Sequence, residues 1–263
     1  MACQEPPVSV YPIRQATTAT FADLYFQRTS LFFVERGSKR IVTLEGEELV
    51  GEEGDVFMFP PGSVVTMENR PLLHENYRAT GVSYTQEFID IASRHLAPTT
   101  AEARPQLLQG KTDESREILA QIHRNFARSA LPLAVQNHCQ IEPLIWLDCH
   151  GIKVPANADT SETARIRQLI EADLAFPWQA KDAAKALGLS EPTMRRRLSK
   201  AGQGFAKILL YCRLERGLTL LQTTNNSITQ ISFECGFKTP AHFSSAFKNR
   251  FGIRPKDIRA PQV

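Results

Sequence analysis

Ile228-Thr229-Gln230-Ile231-Ser232-Phe233-Glu234-Cys235-Gly236-Phe237 reads as one short helix that stops at a glycine. Thr239 and Pro240 follow and open a second helix carrying Phe243 and Phe247. This is the grammar of a helix-turn-helix: a small residue where the second helix crosses the first, and a positive-φ residue four positions later in the turn. Ser232 and Gly236 supply that pair, Thr239 supplies the N-cap, and Pro240 sits in a first turn that needs no amide donor. Phe243 and Phe247, at i and i+4, then face inward.

The same grammar stands 48 residues earlier, so the chain contains an internal repeat. In Lys181-Asp182-Ala183-Ala184-Lys185-Ala186-Leu187-Gly188-Leu189-Ser190 the small residue is Ala184, the turn residue Gly188 and the cap Ser190. Pro192 occupies the first turn of the next helix, and Met194 with Leu198 faces inward. Arg195, Arg196 and part of Arg197 are thereby turned outward. Between the two units, residues 205–221 are apolar on more than one face, which predicts a helix buried on two sides that joins the units rigidly. Rigidity matters because two recognition helices on one side of a duplex enter successive major-groove segments only when about 34 Å apart.

Residues 178–259 resemble the DNA-binding domain of the AraC/XylS family of bacterial regulators, most specifically over 231–255, where Ile-Ser-Phe-Glu-Cys-Gly-Phe is followed by His-Phe-Ser-Ser-Ala-Phe-Lys-Asn-Arg-Phe-Gly-Ile-Arg-Pro. The stretch Gly54-Asp55-Val56-Phe57-Met58-Phe59-Pro60-Pro61-Gly62 is similar to the turn-and-strand motif of the cupin-like barrel found at the N-terminus of such regulators. The resemblance implies a sequence-specific DNA-binding transcription regulator, more commonly an activator, in the cytoplasm of a bacterium. Its implied partners are double-stranded promoter DNA and RNA polymerase. Two departures stand out. Ser245 occupies a place where the family often has a long basic residue, and the C-terminal Asp257-Ile258-Arg259 replaces a more usual aromatic-arginine ending.

The expected roles follow from side-chain chemistry. An arginine fork donates twice to guanine O6 and N7, so Arg195 and Arg196 are assigned to base edges and Arg197 to phosphate. In the second unit Ser244 and Ser245 are candidates for base edges and His242 for bases or backbone. Lys238, Lys248, Arg250 and Arg254 are candidates for phosphate. Pro192 and Lys200 complete the expected interface. The first unit is expected to specify and the second mainly to anchor. Charge agrees: residues 161–263 hold 17 Lys/Arg against 8 Asp/Glu, whereas residues 1–160 hold 14 against 20. This asymmetry suggests a polyanion-facing C-terminal domain and a different partner for the N-terminal one.

Outward from this region, 263 residues leave room for a second domain. Short β-rich runs at 8–13, 31–35, 41–44, 56–59 and 64–67 alternate with turns at 36–38, 51–55 and 60–62, which predicts an antiparallel sandwich or barrel. Helical periodicity begins near Thr85. It continues with a helix after Thr112 or Asp113 bearing Ile118, Ile122 and Phe126, and another from Leu133 that Pro143 should kink or divide. These two make a helical hairpin that either pairs two copies as a homodimer or packs on its own barrel. The small, polar residues 154–163 read as a linker, giving a regulatory or dimerisation domain over 1–153 and a DNA-binding domain over 164–263. The expected fold is α+β multidomain: a cupin-like β-barrel with a helical hairpin, then an all-α domain with two helix-turn-helix units.

Composition excludes other classes. The first seven residues lack a signal-peptide pattern, and the most apolar later stretch, 131–147, is broken by Gln136, Asn137, His138, Gln140 and Glu142, so no membrane partner is expected. Five cysteines without a CxxC pair suggest buried, reduced thiols rather than a disulfide framework or zinc finger. The strand region holds only His74, so no metal, no cofactor and no cupin-type enzyme activity is expected. The barrel is then either a small-effector site or a protein-controlled core filled by Phe32, Val34, Val42, Leu44, Phe57 and Phe59, with an antiactivator or second copy docking outside. For an anionic effector, Arg36, Lys39 and Arg40 are the candidate partners, and all three also read as ordinary turn residues.

Overall fold

The computed structural model describes residues 6–99, 102–126, 132–155 and 159–259, which fall into two compact units divided near residue 159. The first unit begins with β1 (Val8–Gln15), β2 (Ala19–Tyr25), β3 (Thr29–Arg36), β4 (Ser38–Thr43), β5 (Glu48–Gly51), β6 (Val56–Phe59), β7 (Val64–Arg70) and β8 (Tyr77–Tyr84). With β9 (Gln106–Leu108), these form two antiparallel sheets, ordered β1-β8-β3-β6-β9 and β2-β7-β4-β5. The antiparallel fold class was expected. The closed barrel was not found: among the described residues the strands form two separate sheets.

One residue separates β3 in the larger sheet from β4 in the smaller. Gly37 makes that corner at φ 84°, and a Cβ there would fall on the Arg70 carbonyl oxygen. Only glycine fits such a turn. The larger sheet is covered on both faces, which is why β6 is buried throughout and β3 over its first six residues. On one face Leu31, Phe33, Val56, Met58 and Val82 pack with Phe88, Ile118, Ile122, Leu144 and Leu147 of the helices. Phe32, Val34, Phe57 and Phe59 are buried on the alternate positions, where Phe32 and Phe59 meet Phe26. Val42 and Leu44 do not join them. The alternation of β4 turns Lys39, Ile41 and Thr43 inward, so Val42 is half-buried and Leu44 is 72% exposed.

The covering helices are α1 (Gln86–Ala92), capped by Thr85, α2 (Thr112–Phe126) and α3 (Leu133–Cys149). Pro143 lies inside α3 without dividing it, and Phe126 is exposed rather than part of the buried stripe. Glu114 ties the pair together, accepting from Trp146 Nε1 at 3.1 Å and pairing with His150 Nε2 at 2.6 Å. The hairpin thus packs on its own sheet. Cys149 is exposed and Cys139 half-buried, so among the described residues Cys212 and Cys235 match the expectation of buried thiols; Cys3 lies outside them.

The expected linker narrows at both ends. Val154 belongs to the first unit's core, and Ser161 caps a helix, α4 (Glu162–Ala172), that the sequence reading did not name. The second unit continues with α5 (Ala180–Ala186), α6 (Glu191–Lys200), α7 (Phe205–Thr223), α8 (Ile228–Glu234) and α9 (Pro240–Phe251), then a 3-10 turn at Pro255–Ile258. The two-sided burial of α7 is observed: Ile208 and Cys212 pack with α4, α5 and α6, while Gly217 lies under the Phe243 ring of α9.

Candidate nucleic-acid interface

The two helix-turn-helix units are built by the same local chemistry. At the end of α5 the Leu189 amide donates to Ala184 O at 2.8 Å and Gly188 N to Lys185 O at 3.1 Å, with Gly188 at φ 69°. At the end of α8, Phe237 N donates to Ser232 O and Gly236 N to Phe233 O, both at 2.9 Å, with Gly236 at φ 76°. Each is a Schellman ending, which satisfies the last carbonyls of the helix and reverses the chain through a left-handed residue. Ser190 then accepts from Thr193 N, and Thr239 from His242 N, so that α6 and α9 start capped. Met194 and Leu198 anchor α6. Phe243, Phe247 and Phe251 anchor α9 in a run of ring contacts starting at Phe237.

On α6, Pro192, Arg195, Arg196, Arg197 and Lys200 are all exposed, but they are not equivalent. Arg195 is held by Glu191 at 2.7 Å across one helical turn, and Arg197 by Glu162 of α4 at 3.2 Å. Arg196 and Lys200 have no carboxylate partner among the described residues. The Glu191 to Arg195 pairing was legible as an i, i+4 spacing. The Glu162 contact was not, because it spans 35 positions and needs α4 to be placed.

In the second unit Lys238, His242, Ser245 and Lys248 are exposed and Ser244 is half-buried. His242 lies edge-on to Phe237, with ring centroids 5.4 Å apart. Arg254 is exposed and pairs with Asp257 at 2.8 Å.

Arg250 must be withdrawn from the phosphate set. Its side chain is 6% exposed, paired with Glu215 of α7 at 2.6 Å and stacked 3.6 Å above the Tyr211 ring. A guanidinium so enclosed does not reach a phosphate without breaking the fold. Glu215 accepts at its other oxygen from Arg167 of α4, also 6% exposed, at 2.7 Å. Burial alone lowers the pKa of Arg167, but the adjoining Glu215 outweighs it and the net direction is upward. Arg259 is also structural: its guanidinium donates to the carbonyls of Leu220, Leu221, Thr224 and Asn226 at the end of α7. The departure at the C-terminus thus leaves the helix-end arginine in use.

Among the described residues no group of histidines, cysteines or carboxylates is placed to hold a metal ion, and no helix is long and apolar enough to cross a membrane.

Comparison with known proteins matches residues 183–260 to a helix-turn-helix domain family. The HTH-type transcriptional regulator YdeO of Escherichia coli O157:H7 is 30% identical over 115 residues, covering 43% of this chain and 45% of that protein. The urease operon transcriptional activator of Escherichia coli is 35% identical over 103 residues, or 39% and 35% of the two chains. The chain thus spans less than half the length of these curated relatives. The transcriptional regulator SirC of Salmonella typhimurium is 25% identical over 258 residues, covering 90% of this chain and 87% of its own. Among solved structures, apo ToxT from Vibrio cholerae superposes with a TM-score of 0.68 at 15% identity over 95% of both chains. Unsaturated fatty acid bound ToxT does so with 0.65 at 16%, over 94% of this chain and 92% of that one. At such identities the likeness establishes the two-domain fold.

Proposed function

The C-terminal domain belongs to the AraC-type helix-turn-helix family, and on that premise we propose that the protein is a sequence-specific DNA-binding transcription regulator of the bacterial cytoplasm, acting as an activator at promoters with RNA polymerase. The observation that carries this reading is Arg196, an exposed guanidinium without a carboxylate partner among the described residues, on a capped, well-anchored helix. Lys200, Lys238 and Lys248 surround the two units with further exposed positive charge. The test is titration of the full chain against random duplex pools, with sequencing of the bound fraction. Two enriched blocks about one helical turn apart support the reading. Salt-sensitive binding without enrichment reduces the basic domain to an electrostatic anchor.

The N-terminal domain is proposed to bind a small anionic amphiphile. Arg36 is engaged by Glu53 and Glu75 and Arg40 by Glu48, which leaves Lys39 of the three candidates. Its ammonium is buried between the sheets, 2.6 Å from Asn69 Oδ1, over the rings of Phe32 and Tyr77, with no carboxylate partner among the described residues. The nearby Tyr77 hydroxyl is buried without a hydrogen-bond partner. Burial lowers the Lys39 pKa to about 7. A ligand carboxylate restores the charge there, as a fatty acid would, and ToxT has been solved with an unsaturated fatty acid.

The linkage sign is definite. Between about 7 and the ordinary 10.5 the unfolded chain holds a proton that folded Lys39 does not, so the domain gains stability as pH rises through that window. Thermal melts at several pH values should show that rise, and Lys39→Met should flatten it. Long-chain carboxylates should raise the melting temperature of the native chain but not of the Met variant. No shift with any carboxylate favours control by a protein partner.

A further inference from the structure

The two recognition helices are joined by more than apolar packing on α7. Glu215 stands midway along that helix and uses both carboxylate oxygens, Oε2 toward Arg167 of α4 at 2.7 Å and Oε1 toward Arg250 of α9 at 2.6 Å. All three side chains are largely withdrawn from solvent. Both guanidiniums are tied down further: Arg167 reaches the Cys212 sulfur at 3.7 Å, and Arg250 donates to Tyr211 O at 3.0 Å while lying on the Tyr211 ring. A second tie stands elsewhere in the domain. Arg213 of α7 donates to the carbonyls of Leu174 and Phe176, just after α4, and the turn glycine of the second unit lies against Leu174 O and the Arg213 guanidinium. The loop after α4 and the turn after α8 are thus in direct contact.

From this arrangement we infer that Glu215 is a positioning residue: it clamps α4 and α9 to α7, so that the two helix-turn-helix units present α6 and α9 to DNA as one body of fixed separation. None of the three charged groups touches DNA in this scheme. The clamp is directional where apolar contacts are not, since a carboxylate with two guanidiniums on opposite oxygens fixes angles as well as distances. A buried arrangement of this kind adds little net stability, because the cost of desolvating the charges offsets their attraction; its role in this scheme is geometric. The inference rests on the DNA-reading proposal for its purpose but not for its mechanics.

The experiment measures the mechanics first. In the full chain, with Cys3, Cys139 and Cys149 replaced by Ser, spin labels are attached through S199C on α6 and N249C on α9, both exposed positions. Burial keeps Cys212 and Cys235 inert, the latter with its thiol pushed up to about 12. Electron–electron distance measurements should give a narrow distribution for the wild-type triad and one about twofold broader for Glu215→Gln. Arg250→Gln leaves Glu215 paired with Arg167 and provides the same readout should Glu215→Gln not fold. The second readout is binding to duplexes whose two enriched blocks are re-spaced by two base pairs. That change should cost the wild type about tenfold in affinity and Glu215→Gln about threefold. An unchanged distance distribution in a folded variant overturns the inference, as does unchanged strictness of spacing. A broadened distribution in a protein that shows no sequence preference at all leaves the clamp standing and removes the regulator reading instead.

Discussion

In the first helix-turn-helix unit Gly188 ends α5 with open space around it, whereas in the second Gly236 ends α8 with Leu174 and Arg213 pressed against it. The backbone plan is the same, down to the Schellman bonds and the capped second helix. The surroundings differ. The first recognition helix is fixed by two apolar side chains and leaves an arginine bare. The second is fixed by a column of phenylalanines and a buried arginine, and its exposed positions carry Ala241, His242, Ser245, Lys248 and Asn249 but no arginine. A repeat therefore keeps the device that makes a helix-turn-helix while the contacts of each copy differ, and under the proposed function the first copy reads and the second holds.

The comparison breaks most visibly at the glycines. Gly188→Ala should cost about 1 to 2 kcal/mol, the penalty of a left-handed residue with a Cβ. Gly236→Ala should add about 1 to 3 kcal/mol of overpacking against the Leu174 carbonyl and Arg213. Urea unfolding of the full chain with Trp146 replaced by Phe leaves Trp178 to report on the C-terminal unit; equal losses would mean that the second turn yields at no cost.

Next in size is base reading. Arg196→Ala should lose about 1 to 3 kcal/mol on the enriched site and relax preference at one base pair, as anisotropy titrations against single-base variants would show. Ser245→Ala should lose under about 0.5 kcal/mol, the range of an uninvolved surface change. The division of labour is sunk if the two losses are similar, or if Arg196→Ala weakens all duplexes alike. The caps should sharpen the comparison from the other side: Ser190→Ala and Thr239→Ala should each cost about 1 kcal/mol in the same unfolding assay, because their geometry is shared. Smallest is Lys248→Ala, expected to weaken binding evenly across sequences and to reduce the magnitude of the salt slope by about one. An intact slope would take Lys248 off the phosphates.

Much of the candidate site was legible because its makers are local. Ala184 with Gly188, Ser232 with Gly236, and the caps at Ser190 and Thr239 act within one turn of themselves, and spacing alone identifies them. Arg250 was misread for the complementary reason. Its place on α9 marks it as basic and near the phosphates, but its burial depends on Glu215 and Tyr211, 35 and 39 positions away. Strands β2 and β8 are hidden in the sequence because polar residues and glycine interrupt their apolar residues, and β5 and β9 because they are only four and three residues long. Cross-strand pairing, rather than composition, makes them strands. Lys39 is one of three candidate cations in the sequence, and nothing local separates it from Arg36 and Arg40: two positions past Gly37 it also reads as a turn residue, and only the packing of the two sheets buries it.

By itself the sequence determined the repeated helix-turn-helix, its caps and turn glycines, the two-sided helix between the copies and the antiparallel character of the N-terminal half. Each of these rests on interactions that reach no farther than one helical turn or one strand pleat. Tertiary structure decided which cations are free and which are clamped, that two sheets are formed rather than a closed barrel, and that an ammonium lies between them. Those outcomes depend on desolvation and on the nearness of opposite charge, and neither exists until distant segments of the chain are packed together.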